Sequence, residues 1–327
     1  MNQPLLPTLS RRAVLAGLSA LPLFAHAQAG YPAKPVSVIV PYAPGGTTDI
    51  VARLMAQALA TSTGKTFLIE NKGGGSTTIA TGYVAKAPAD GYTLLANEMT
   101  QTIVPALFPK LSFDPIKDIA PITVFAEAPY VLVVNADVPV KNLRELVELA
   151  KAQPGKLNFA SGGSASGPHI AGELLKSVAG IDMTHIAYKG SGPALSDLLG
   201  GQVQVLITAA PTVIGQLSSG RMRPLAVAHS KRLSSLPNVP TAAESGFPGF
   251  NIANWFGLAA PKGTPADVVN YLHAEIQKVL MRPEVKEKLI AAGAEPVFMS
   301  PAEAARHIDA EARRWGELVQ KARIKVD

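Results

Sequence analysis

Residues Val36–Leu59, VSVIVPYAPGGTTDIVARLMAQAL, decide how the rest of the chain is read. Val36 to Val40 is a short β-branched run of the kind that forms a buried strand. Pro41-Tyr42-Ala43-Pro44-Gly45-Gly46 follows, and two prolines with two glycines in six residues exclude a helix there. Thr47, Thr48 and Asp49 are candidate N-caps. Beyond them Ile50, Val51, Leu54, Met55, Ala58 and Leu59 recur at helical spacing. The stretch is therefore strand, glycine loop and helix N-terminus. Unpaired N–H groups at such an end carry partial positive charge and suit an anion. Many α/β turns share this form without binding anything, so the rest of the chain must decide its role.

The chain of 327 residues is 47% apolar and 17% charged, which is the composition of a folded protein with room for two cores. It has no cysteine, so thiol catalysis, disulfides and cysteine metal sites are excluded. The formal net charge of +6 is not gathered into a basic stripe with interleaved aromatics, so nucleic acid is not an expected partner. Two of those charges, Arg11 and Arg12, precede an apolar run from Ala13 to Ala25 and the small-residue sites Ala25-His26-Ala27 and Ala27-Gln28-Ala29. That pattern is an export signal peptide over residues 1–29, cleaved near Ala29, with either a twin-arginine or a Sec route open. The apolar run is too short to span a bilayer. The expected product is a soluble periplasmic protein.

Further strand–loop–helix units follow. Phe67–Glu70 runs into Asn71-Lys72-Gly73-Gly74-Gly75-Ser76, and Tyr92–Ala96 runs into Asn97-Glu98-Met99. A second set begins at Val131–Val134. In it, Leu157–Ala160 leads to the small-residue loop Ser161–Gly167, Thr184–Tyr188 leads to Lys189-Gly190-Ser191, and Gln202–Thr208 leads to Ala209-Ala210-Pro211. Asn254–Pro261 is apolar enough to return as a strand to the first sheet. Thr264 before Pro265 and the Ser300-Pro301-Ala302-Glu303 capping box open C-terminal helices. Loops at the carboxyl ends of parallel strands share one sheet edge, where ligands bind. Two such sets crossed twice by the chain make a clamshell that closes by a hinge.

The catalytic motifs fail. Gly64-Lys65-Thr66 lacks the upstream glycine of a phosphate loop, because that position is Leu59, and it follows a helix instead of opening one. Ser161–Gly167 lacks the Gly-x-Ser-x-Gly spacing of a nucleophile elbow. The histidines show no metal-ligand spacing on a helix face. His169 reads either as a ligand contact or as a capping histidine, and Lys189 either as a cleft residue or as a solvated charge. Asp49 reads either as a brace for its own loop or as a partner for a ligand cation. No metal or cofactor is expected.

Five motifs then point to one family: Tyr31-Pro-x-Lys-Pro35, Val40-Pro41-Tyr42-x-Pro44-Gly45-Gly46-Thr-x-Asp49, Asp90-Gly91-Tyr92-Thr93-Leu94, Tyr188-Lys189-Gly190-Ser191-x-Pro193-Ala194 and Trp255-Phe256-Gly257. With them the chain resembles the periplasmic solute-binding proteins of tripartite tricarboxylate transporters, the Bordetella uptake gene (Bug) family. The resemblance implies an α/β, two-lobed, Venus-flytrap fold of the type II-like kind with two crossovers. It places residues 30–127 and 250–327 in one lobe and 128–249 in the other. It implies a small carboxylate held by the loop Ala43–Asp49 through backbone N–H groups and bridging waters, with Tyr42, Ala43, Pro44, Gly45, Gly46, Thr47, Thr48 and Asp49 as candidate contacts. Candidate contacts from neighbouring loops are Gly75, Ser76, Asn97, Glu98 and Met99 on the same lobe. Those on the facing lobe are Ser161, Gly163, Ser164, Ser166, His169, Tyr188, Lys189, Gly190 and Thr208.

Three departures from the family pattern bear on the ligand. Lys72-Gly73-Gly74-Gly75 replaces an Arg-Pro-Gly-Ala run, Asn97-Glu98-Met99 replaces small residues, and Gln204 and Thr208 stand where acids are common. An added acid at the cleft and few cations near it favour a monocarboxylate, aromatic or amine-bearing, over citrate. The expected partners are this ligand and the permease subunits of a tripartite transporter, with the protein acting as a monomer. A receptor feeding a sensor protein is the alternative, and a secreted hydrolase is the more distant one.

Overall fold

The computed structural model describes residues 30–321 and residue 324; the signal-peptide assignment lies outside them. Lys34 onward forms one compact unit. Its strands are β1 (Val36–Val40), β2 (Phe67–Asn71), β3 (Thr93–Glu98), β4 (Ile119–Asn135), β5 (Asn158–Ser161), β6 (Thr184–Ala187), β7 (Val205–Ala209), β8 (Met222–Val227), β9 (Ala253–Pro261) and β10 (Glu295–Pro296). The helices between them are α1 (Thr47–Thr63), α2 (Thr78–Ala85), α3 (Thr100–Leu107), α4 (Leu143–Ala152), α5 (Gly167–Ala179), α6 (Ser191–Leu199) and α7 (Pro211–Ile214). After β9 come α8 (Ala266–Leu280), α9 (Pro283–Ala291) and α10 (Pro301–Lys321).

The strand path β2-β1-β3-β9-β4-β7-β5-β6, with β8 and β10 also on β4, makes two half-sheets joined by one strand. β1 pairs in parallel with β2 and β3, and β5 pairs in parallel with β6 and β7. Through Pro129, β4 pairs antiparallel with β9; from Tyr130 onward it pairs with β7 and β8 instead. The change of partner at Pro129–Tyr130 is one crossing between the lobes. The other lies in residues 228–253, where Ile252 N–H donates to Ala228 O at 2.9 Å and Ala228 N–H donates to Tyr130 O at 2.8 Å. The two crossings thus run side by side and form a hinge.

Each lobe has its own apolar core, which lets it move as a body. Ile39, Ala80, Val84, Leu95, Ile119 and Ala259 cluster in the first. Val131, Leu198, Leu206, Val213 and Val227 belong to the cluster in the second. β1 is buried at four of its five positions, as a strand covered on both faces by helices must be. Helix α1 lays Val51, Met55 and Leu59 against it, at the spacing the sequence presents.

Two caps differ from expectation. The N-cap of α1 is Gly46, with extended backbone and no side-chain cap, and Thr47, Thr48 and Asp49 form the first turn. Thr264 does not cap α8; its hydroxyl donates to Pro261 O at 2.8 Å and Pro265 takes the cap position. In both places a side-chain oxygen has a better acceptor or donor elsewhere, and the N-terminal N–H groups stay free. The Ser300–Glu303 capping box forms as expected, with Ser300 N–H donating to Glu303 at 2.8 Å and Glu303 N–H donating back to Ser300 at 3.3 Å.

Candidate functional site

The carboxyl ends of the parallel strands in both half-sheets open onto one cleft. Two helices begin there with glycine caps and no capping side chain: α1 after Gly46 and α6 after Gly190. They face each other closely. A Cβ built on Gly46 would lie 3.4 Å from Ser191 N and 3.5 Å from Gly192 N. The free N–H groups of both first turns therefore converge, and their partial positive charges add at one place. The start of α5 is different, because Ser166 caps it by accepting from His169 N–H at 3.4 Å.

Backbone meets backbone where the lobes touch. Ala43 N–H donates to Lys189 O at 2.9 Å, and the Thr47 hydroxyl lies 2.5 Å from that of Thr212. Ser76 donates its hydroxyl to Ser164 O, and Gly167 N–H donates to Thr100 Oγ1 at 3.2 Å. This is the closed form of the clamshell. Behind the contact lies a small cavity with ≈ 20 Å³ of room for water-sized centres. Its lining is Tyr42, Gly46, Thr47, Thr48, Glu98 and Asn254 from the first lobe side and Tyr130, Gly162, Ser166, Pro168, Ser191, Thr208 and Ala209 from the second. No Lys, Arg or His is among them. The Tyr130 hydroxyl and Thr208 Oγ1 are buried without a protein hydrogen-bond partner, although buried polar atoms are paired as a rule.

Asp49 braces the α1 loop. Its carboxylate accepts from Gly45 N–H at 3.0 Å, from Arg53 Nε at 3.0 Å and from Asn71 Nδ2 at 2.9 Å. Burial opposes its charge, and the bonds from Arg53, Gly45 and Asn71 outweigh burial, so it titrates below the ordinary range of an aspartate. Gly45 itself sits at φ +85°, where a side chain is strained.

Glu98 lies at the end of β3, 2% exposed. It accepts from the Tyr42 hydroxyl at 2.7 Å, and the hydroxyl and backbone N–H of Thr100 and the Asn254 amide also donate to it. Asn254 is oriented for this because its Oδ1 accepts from Met99 N–H at 3.1 Å. Burial raises the carboxyl above its usual range, with the donors acting against that rise. Tyr42 is pushed well above 10 by burial and by the charge of Glu98.

Of the residues expected to bind, Tyr42, Gly46, Thr47, Thr48, Glu98, Ser166 and Thr208 line the cavity. Ala43, Pro44, Gly45, Ser76, Ser164 and Gly190 sit at the lobe contact instead. Gly75 opens the short turn that carries Ser76. Others take structural roles. Asn97 abuts Gly257 in the neighbouring strand, and the Met99 side chain lies under Gly167. The Ser161 hydroxyl and the Ser166 hydroxyl both donate to Gly163 O, shaping that loop. Tyr188 turns away to donate to Asp197 at 2.6 Å, and burial with that bond pushes its hydroxyl up to about 12. Lys189 contributes its carbonyl to the lobe contact and exposes its side chain.

His169 is a structural base. Its Nδ1 accepts from Ala165 N–H at 3.1 Å, and its ring stacks on His185 at 3.9 Å between centroids. Burial and the charge of Lys176 lower its pKa to about 4. The folded state therefore binds fewer protons than the unfolded state between about pH 4 and 6.5. Stability present above pH 6.5 should fall as pH drops towards 4, by on the order of 3 kcal/mol, and level off below. Urea titrations of the wild type and His169→Asn across pH 4–7 check this. A stability difference that does not change with pH would contradict it.

Sequence reasoning missed Tyr130, Gly162, Pro168, Ser191, Ala209 and Asn254 as lining residues. Gly162, Pro168, Ser191 and Ala209 belong to or adjoin loops already marked as cleft loops. Tyr130 and Asn254 lie on the two crossings, and nothing local marks a strand residue there as facing a cavity.

The Ser161 hydroxyl lies 2.6 Å from His185 Nε2, but neither residue lines the cavity, and a two-lobed α/β clamshell whose cleft gathers helix N-termini in this way is a periplasmic-type solute-binding protein. The family model described as tripartite tricarboxylate transporter family receptor matches residues 51–324, and the chain belongs to that family. It is 37% identical to protein BugT of Bordetella pertussis, over 90% of this chain and 91% of that one. It is 37% identical to the structure of Rhodopseudomonas palustris Rpa4515 with adipate, at a TM-score of 0.87, over 90% of this chain and 99% of that one. MatC from the same organism, with bound malate, is 34% identical at a TM-score of 0.83, over 88% of this chain and 100% of that one. The protein is thus a solute-binding receptor of the Bug kind and not an enzyme. Among the described residues no helix is long and apolar enough to cross a membrane, and no cluster of three or more potential ligands could hold a metal.

Proposed function

We propose that this protein, exported and cleaved near Ala29, captures a small monocarboxylate and delivers it as a monomer to the membrane subunits of a tripartite transporter. The observation that carries the reading is the convergence of two uncapped helix N-termini, α1 and α6, on a cavity lined by no cation. Backbone N–H groups of Gly46, Thr47, Thr48 and Ser191 hold the ligand carboxylate. We place residues 30–127 and 250–327 in one lobe and 128–249 in the other, with the change of strand partner falling just beyond the first boundary at Pro129–Tyr130, and the remaining lining residues set the fit. Each helix end contributes up to ~2 kcal/mol to a partly buried anion. Micromolar capture needs about −8 kcal/mol, so desolvation on closure and hydrogen bonds supply the remainder. One carboxylate satisfies the facing helix ends, and a second would meet Glu98. The relatives seen with adipate and malate support the carboxylate part of this reading.

Calorimetric titration with matched mono-, di- and tricarboxylates tests it. Monocarboxylates should bind in the micromolar range with citrate weaker by at least tenfold. Tight citrate binding beside weak monocarboxylate binding would overturn the proposal.

A further inference from the structure

Glu98 is a buried carboxylate in need of a counterion that the protein does not provide. It is 2% exposed, and charged groups so buried are paired as a rule. None of the ion pairs among the described residues includes it, and no Lys, Arg or His lines the cavity it faces. Its protein neighbours are neutral donors: the Thr100 hydroxyl and backbone N–H, the Tyr42 hydroxyl at 2.7 Å and the Asn254 amide. Donors alone hold it as an acceptor, which is the role of the ionised form. Tyr42 is itself kept in place by a 2.8 Å bond to Thr100 Oγ1, so the carboxylate is fixed in position. The unpartnered Tyr130 hydroxyl and Thr208 Oγ1 line the same space.

Resting on the carboxylate reading of the opposite end, we infer that Glu98 receives a ligand ammonium group, so that the bound molecule is a compact amino-carboxylate. The zwitterion places its carboxylate on the N-termini of α1 and α6 and its ammonium on Glu98. Each end then meets its opposite charge in a cavity that excludes water, where such pairing is strongest. The same residue rejects a dicarboxylate by placing a like charge against its second end. The enclosed space is small, ≈ 20 Å³ of room for water-sized centres, so the lobes must part for any ligand, and a short amino acid needs less opening than an aromatic acid.

The experiment uses the mature protein at pH 7 and pairs of probes. Short α-, β- and γ-amino carboxylates are each compared with the same acid lacking the amine, and succinate and adipate are added. Binding is read by calorimetry after a melting-temperature screen. In the wild type at least one amino-carboxylate should bind tenfold or more tighter than its deaminated partner. Glu98→Gln, with its own melting curve as a fold check, should erase that preference and raise succinate affinity at least tenfold. Should the deaminated acids or succinate bind the wild type best, the inference falls while the carboxylate reading stands. An equal loss for both members of a pair in Glu98→Gln would also overturn it. If no acid of either class binds, the carboxylate reading itself fails and takes the inference with it.

Discussion

Replacing Gly192 by leucine should lower ligand affinity about a hundredfold while leaving the melting temperature of the ligand-free protein within a few degrees of wild type. A Cβ at position 192 would stand 2.5 Å from Pro44 O, 3.1 Å from Gly45 C and 3.2 Å from Gly46 N, all on the other lobe. Those atoms are backbone and cannot rotate away. Relief comes from holding the lobes apart, and overpacking of this kind costs about 1–3 kcal/mol. A hundredfold in affinity corresponds to about 2.8 kcal/mol, near the upper end of that range. Each lobe's core lies elsewhere, so folding should be spared. Gly46→Leu should act the same way through Ser191 and Gly192, whereas a change at Gly45 would add strain at φ +85° and confuse the reading. Small-angle scattering supplies the structural check: the wild type should contract on adding ligand and Gly192→Leu should not. Equal contraction with equal affinity would show that closure does not press these loops together.

Asp49→Ala should cost about 2–4 kcal/mol of stability at pH 7 and weaken ligand binding at least tenfold. Hydrogen bonds to a charged group contribute about 1.5–3 kcal/mol each, and this carboxylate takes them from Gly45, Arg53 and Asn71. Arg53 is half exposed and recovers water when its partner is removed, so its share is discounted. The Gly45 N–H loses the carboxylate that fixes it in the loop. Released from Asp49, the Gly45–Thr48 backbone loses the orientation that aims its donors at the cavity. The folded carboxyl titrates below its unfolded value of 3.8. Its contribution is therefore complete above that pH and fades as pH falls through the lower, folded value. Denaturation curves at pH 7 and pH 3 should show the wild-type advantage shrinking in acid. Asp49→Asn, which keeps the shape and one acceptor, should fall between the two proteins. A gap that stays the same at both values would remove charge from the explanation.

Legibility followed locality. The strand–loop–helix at Val36–Leu59 can be read because β-branched burial, loop prolines and helical spacing all lie within one short window. Strand β4 shows the opposite case. Its second half, Val131–Val134, is an apolar run and was legible. Its first half carries Pro121, Thr123, Glu127 and Pro129, which argue against a strand by composition. The chain accommodates them with register shifts between Pro121 and Thr123 and between Val124 and Ala126. Helix α3 was missed for the same reason, since it contains Pro105 and begins directly after Glu98 and Met99.

By itself, the sequence determined the class of protein: two α/β sets, small-residue loops at strand ends, no catalytic spacing, and a family signature spread from Tyr31 to Gly257. These are properties of neighbouring residues and of motifs. The tertiary structure alone decided what the cleft contains. It set Gly46 against Ser191 across the lobes, turned Tyr188 and His169 away, and brought Tyr130 and Asn254 from the two crossings to stand with Glu98. The physical reason is that a cavity's charge balance depends on which side chains from distant segments share it, and that pairing is fixed only when both lobes pack and close.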